Sequence, residues 1–179
     1  MRLTAASLRN QGHQVWYPQF PSPETPDPQE WQDLLRQESN MMDEVEGEKI
    51  CIAHSLGTTN WLIGALNDIY QKPFDRVLLV APPDPEMTSQ AEGIKGDPLD
   101  LSNPSLETQA KKWAKSLNVV ASDNDKWLPN GIAIYEKPLG VTPIVLVGAG
   151  HFSLDDGFGN WPSIISWCED EETRLNSNK

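Results

Sequence analysis

Four short apolar runs constrain this chain more than any other feature. They lie at residues 49–53 (KICIA), 76–81 (RVLLVA), 117–121 (LNVVA) and 142–147 (TPIVLV). Each has the length of a strand, and each is apolar at successive positions rather than at alternate ones. Continuous apolarity means burial on both faces, which is the signature of a parallel sheet covered by helices. The stretches between the runs carry helical spacing. Asp27 and Pro28 supply a cap and a first turn, and Trp31, Leu34, Leu35 and Met41 or Met42 then recur on one face. A second helix is predicted over 58–70, with Trp61, Leu62, Ala65, Leu66 and Ile69 facing the sheet. Shorter helices are predicted at 3–8, stopped by Gly12, and at 108–115, 131–137 and 160–170. A fifth, short strand is predicted at 14–17 (QVWY), ahead of an extended segment held open by Pro18, Pro21, Pro23, Pro26 and Pro28. Residues 84–105 are polar and rich in Gly and Pro, and read as a long loop over the site. Residues 169–179 read as a polar tail. The expected architecture is a three-layer α/β fold, a mostly parallel sheet flanked by helices, in one domain over residues 1–179.

The charge excludes some partners. Asp and Glu number 26 against 14 Lys and Arg, a net charge of −12. Nucleic acid and anionic membranes both require a basic footprint, so neither is expected as a partner. No apolar run approaches the roughly 20 residues of a membrane span. The start of the chain has no apolar core of a secretory signal, and the two cysteines, Cys51 and Cys168, have no framework or metal spacing. A cytoplasmic location with reduced thiols is the expectation. No cofactor is implied, and no His, Cys, Asp and Glu cluster has metal-ligand spacing.

In an open parallel sheet the chemistry lies at the carboxyl ends of the strands. Three of those ends carry groups suited to acyl transfer. After residues 49–53 comes His54-Ser55-Leu56-Gly57, a serine on a tight strand-to-helix turn with small residues two before and two after it. The pattern is A-x-S-x-G, with Ala53 where glycine is more usual. The helix that follows would point its N-terminus at developing negative charge. After residues 117–121 comes Ser122-Asp123-Asn124-Asp125, and after residues 142–147 comes Gly148-Ala149-Gly150-His151. A carboxylate there can orient an imidazole, and the imidazole can act as base toward the serine. The order serine, acid, histidine is that of α/β-hydrolases. His13 is read as a surface residue, His54 as packing or support, and Asp155 and Asp156 as caps of the terminal region.

Pro18-Gln19-Phe20-Pro21-Ser22-Pro23, Trp31, Ala53-His54-Ser55-Leu56-Gly57, the segment 122–129, Gly150-His151-Phe152 and Gly157-Phe158 occur in that order. In these the chain resembles the small serine hydrolases related to retinoblastoma-binding protein nine and the bacterial YdeN-like proteins. The resemblance implies Ser55 as nucleophile, His151 as general base and Asp125 as orienting acid. Asp125 is preferred to Asp123 because the family's acid stands four residues before a proline, here Pro129. It implies the N–H of Leu56 as one oxyanion-hole donor, a small-molecule ester or amide as substrate, and no cofactor. It identifies no protein partner.

The family opens with an apolar strand, a Gly-rich loop and a Trp-containing helix, and this chain starts inside that helix at Met1. The expectation is a sheet lacking that strand between residues 14–17 and 49–53, and an oxyanion hole lacking the donor from that loop. The explanation adopted is an initiation site further upstream. Different in kind is a non-catalytic interaction protein that keeps the fold, with the Pro-rich loop and some of its seven tryptophans as a partner surface.

Overall fold

The computed structural model describes residues 1–96 and 98–177. Its elements run α1 (Arg2–Asn10), α2 (Pro28–Met42), β1 (Ile50–His54), α3 (Leu56–Leu66), β2 (Phe74–Val80), α4 (Pro85–Gln90), α5 (Leu106–Trp113), β3 (Ala114–Ser122), α6 (Ala133–Leu139), β4 (Ile144–Leu146) and α7 (Pro162–Glu169). The four apolar runs form one sheet in the order β1-β2-β3-β4, and every pairing is parallel. Ile50 pairs with Arg76, Val77 with Leu117, and Val120 with Ile144.

The pleat of β2 shows why these runs are apolar throughout. Val77 and Leu79 face one core with Trp61, Leu62 and Ala65 of α3, Leu106 and Ala110 of α5, and Tyr135 of α6. Leu78 and Val80 face the other core with Leu8 of α1, Phe152, Phe158, Trp161, and Ile164 and Trp167 of α7. All four β2 residues are fully buried. Alternate side chains of one strand thus serve both layers, each worth about 1.5–3 kcal/mol of burial. This is the expected three-layer α/β architecture.

Local rules set the helix ends. Asp27 caps α2, its carboxylate accepting from the N–H groups of Gln29 and Glu30 at 2.9 and 3.2 Å. Gly140, at φ +60°, closes α6 in the left-handed conformation. At the amino ends of the strands, buried Arg76 donates to the carbonyls of Trp167 and Cys168 at 2.7 and 2.8 Å, and to both carboxylate oxygens of Glu48. A guanidinium on the last carbonyls of α7 satisfies orphan acceptors and complements the helix dipole.

Three sequence expectations are corrected. Residues 14–17 form no strand. The carbonyls of Val15 and Tyr17 are instead held by the side chains of Arg9 and Gln19. A strand requires a ladder, and β1 forms one only with β2, so its outer side is an edge among the described residues. The loop at 84–105 contains α4, which starts at Asp84 because its carboxylate caps Glu86 N–H and Pro85 follows. The C-terminal tail is anchored. Leu175 is buried in the second core, and the Asn176 carbonyl accepts from Trp161 Nε1 at 2.8 Å. Asn178 and Lys179 lie outside the described residues. Among those described, no helix is long and apolar enough to cross a membrane.

Candidate functional site

Ser55 stands between β1 and α3 with φ +54° and ψ −126°. A side chain with positive φ in this region costs about 1–3 kcal/mol and persists only where its surroundings impose it. Here the Ser55 N–H donates to the Val80 carbonyl at 3.0 Å, and its carbonyl accepts from Thr58 N–H and Thr58 Oγ1 at 2.8 and 2.6 Å. The turn is therefore tied to β2 on one side and to α3 on the other. Small residues permit it: a Cβ placed on Gly57 would stand 4.0 Å from the Cβ of Ala53. That is an ordinary contact distance, so the turn accommodates Ala53 where glycine is more usual.

Asp125 follows β3 and His151 follows β4, and the sheet brings both to Ser55. Ser55 Oγ lies 2.8 Å from His151 Nε2, and His151 Nδ1 lies 2.8 Å from Asp125 Oδ2. The Asp125 side chain is fully buried, while that of His151 keeps 14% of its surface exposed. The second oxygen of Asp125 accepts from Trp127 N–H at 2.9 Å. A carboxylate can only accept, so Nδ1 carries the proton and Nε2 is free to accept from the serine hydroxyl.

Asp123 is elsewhere engaged, accepting from Gly148 N–H at 2.7 Å. It belongs to a row of contacts that sequence reading did not find. Ser122 Oγ takes the Ala149 N–H at 2.8 Å, Asn124 Oδ1 takes that of Gly150 at 2.8 Å, and Asp156 Oδ2 takes that of His151 at 2.9 Å. Four successive amides of the loop after β4 are thus met by four short polar side chains. The available signal was the run Ser-Asp-Asn at the end of β3, residues that habitually bind nearby main chain.

Leu56 opens α3. Among the described residues no main-chain or side-chain group accepts from its N–H, as expected of a first-turn amide. Leu56 also lines an apolar cleft with Pro26, Pro28, Trp31, Ile63 and Ile94. His54 Nε2 lies 2.8 Å from the His151 carbonyl, and the two rings are 5.0 Å apart. Burial drives the His54 imidazole down to about 4, against the pull of its bond to the His151 carbonyl. His13 is exposed, as expected. Asp155 is exposed and Asp156 serves the histidine loop. Among the described residues no group of three or more His, Cys, Asp and Glu side chains is placed to hold a metal.

Known proteins have the same outline. The chain is similar in structure to the ydeN gene product of B. subtilis, with a TM-score of 0.75 at 19% identity over 97% of this chain and 90% of that one. It is also similar to a putative YdeN-like hydrolase from Pectobacterium atrosepticum, with a TM-score of 0.64 at 22% identity over 93% of this chain and 80% of the other. No curated protein matches the sequence. The family model described as serine hydrolase matches residues 4–169, nearly the whole chain, and the protein therefore belongs to the serine hydrolase family.

Proposed function

We propose that the protein hydrolyses an ester or amide through an acyl-enzyme on Ser55, with His151 as general base and Asp125 as its orienting acid. The observation that carries this reading is the chain of two 2.8 Å contacts from Ser55 Oγ through the imidazole to buried Asp125. Ser55 Oγ attacks the substrate carbonyl while its proton passes to His151 Nε2. Asp125 stabilises the resulting imidazolium through Nδ1–H. The negative charge on the carbonyl oxygen falls to the free N–H of Leu56, at the positive end of α3. Collapse expels the alcohol or amine, which takes the proton from His151. Water then repeats the sequence on the acyl-enzyme and releases the acid.

The apolar cleft beside Leu56 suits a small hydrophobic group of the substrate. No metal or other cofactor enters these steps. Unpaired Cys51 and Cys168, both pushed up in pKa by burial, suit a reducing compartment such as the cytoplasm.

The test is turnover of p-nitrophenyl esters from acetate to hexanoate. We expect hydrolysis by the wild type and background rates for His151→Ala. Failure of the folded wild type to turn over any of these esters would sink the reading and favour a non-catalytic binding protein.

A further inference from the structure

His151 is engaged through every polar group it has. Its ring faces Asp125 and Ser55. Its N–H donates to Asp156 Oδ2, and its carbonyl lies 2.8 Å from His54 Nε2. These last two partners take no part in the chemistry above. We propose that Asp156 and His54 are positioning residues, which grip the main chain of His151 from its two sides and so fix where its imidazole stands between Asp125 and Ser55. This inference rests on the serine hydrolase reading of the site.

The loop after β4 needs such a grip. Gly148, Gly150 and Phe152 all have positive φ, at +67°, +59° and +55°. For a phenylalanine this is a strained conformation that its surroundings must impose. Phe152 is buried against Phe158 and Trp161, with ring centroids 4.8 and 5.2 Å away. That anchor holds the chain one residue beyond His151 but does not set the peptide planes of His151 itself. Asp156 does so from below. Besides the His151 N–H, its Oδ2 accepts from Ser153 N–H at 3.1 Å and Ser153 Oγ at 2.7 Å. These bonds keep the Asp156 carboxyl below its ordinary range, the Ser153 hydroxyl contributing most. The carboxylate lies so close under Gly150 that any Cβ there would collide with it. Glycine at 150 thus serves both the left-handed turn and the approach of Asp156.

His54 grips from the other side. It follows Ala53 at the end of β1, so the strand that delivers Ser55 also delivers the donor that holds His151. Half-buried and neutral at physiological pH, the ring must carry its proton on Nε2 to donate to a carbonyl. Nucleophile and base are in this way referenced to the same strand end.

The test uses the full chain and a fluorophosphonate, measuring the second-order rate of adduct formation on Ser55 with melting temperature recorded in parallel. Asp156→Ala and His54→Phe each remove one grip. Misplacing a base by a fraction of an ångström makes a loss of about tenfold or more reasonable. On an aryl ester the loss should fall on kcat, with KM within about twofold of wild type. Asp156→Asn keeps an acceptor oxygen for the His151 N–H, and His54→Gln keeps an N–H near the position of Nε2. Both should recover most of the lost rate.

Wild-type rates in Asp156→Ala and His54→Phe, with Ser55→Ala unlabelled, would overturn the grip and leave the hydrolase reading intact. So would losses that merely follow melting temperature and are equal in the conservative and radical variants. An unlabelled but folded wild type would overturn both proposals.

Discussion

The two candidate acids differ in burial and in partner, and this separates their expected effects. Asp125 is enclosed and faces the imidazole, whereas Asp123 lies at the surface and holds the amide of Gly148. Asp125→Asn keeps the volume but offers Nδ1 the wrong partner. Ester turnover should drop by about ten-thousandfold. Asp123→Asn can still accept from Gly148, and turnover should stay within about threefold, since only the strength of one exposed hydrogen bond changes. Steady-state rates of the two variants on one ester decide between them. The three strand-end residues were legible in the sequence because apolar runs mark where strands stop, and the chemistry of open parallel sheets lies there. The grip on His151 was not. Asp156 is five residues from His151, and nothing in local spacing reveals that the chain folds back under Gly150.

Helix α3 is largely buried, and its two glycines have opposite meanings. Gly57 faces Ala53 at ordinary contact distance. A Cβ on Gly64 would stand 2.6 Å from Tyr70 Oη and 2.9 Å from Ile69 Cδ1. Tyr70 cannot yield easily, because its hydroxyl donates to the Trp61 carbonyl at 2.9 Å and its ring stacks on Trp61. Alanine is a better helix former than glycine by about 1 kcal/mol. Overpacking costs about 1–3 kcal/mol. Gly64→Ala should therefore lose up to about 2 kcal/mol in urea unfolding, by the difference of those terms, although it sits in a helix. Gly57→Ala should cost less than about 1 kcal/mol, because its new methyl meets no clash.

The element pattern was mostly readable, because α2, α3 and the four strands follow from apolar spacing and caps. The fifth strand at 14–17 failed for a reason spacing cannot convey. Bulky β-forming residues make a segment able to be a strand, but only a neighbouring ladder makes it one. Helix α4 was hidden in a Pro-rich stretch, though Asp84 followed by Pro85 repeats the start signal that marks α2 at Asp27 and Pro28.

For the molecule as a whole, His54 and a few carboxyls with depressed values shape the response to pH. His54 titrates at about 4 in the folded protein against an ordinary value of 6.5. The unfolded chain then binds the extra proton in the window between those values, so stability falls as pH drops through it. Above about 6.5 this group contributes no slope, and the loss across the window is at most about 3 kcal/mol. Asp75, Asp68 and Asp156 have depressed values, chiefly through bonds to Lys115, Lys112 and Ser153 respectively. Their stabilisation is present above the ordinary carboxylate value of 3.8 and is lost only as pH falls below it. Urea unfolding at pH 7.5, 5.5 and 4.5 should show the decline, and His54→Gln should flatten it. The fold class was legible from chain-wide apolarity. The convergence of three strand ends on one point depends on the order and register of the sheet, which no single segment encodes.

The most direct test of the whole account is covalent. The folded 179-residue chain is treated with a fluorophosphonate at neutral pH, and the adduct is read by intact mass, with Ser55→Ala in parallel. The account predicts one adduct per chain in the wild type and none in Ser55→Ala. A folded wild type that takes no label, or a Ser55→Ala variant that is labelled as readily, would contradict it.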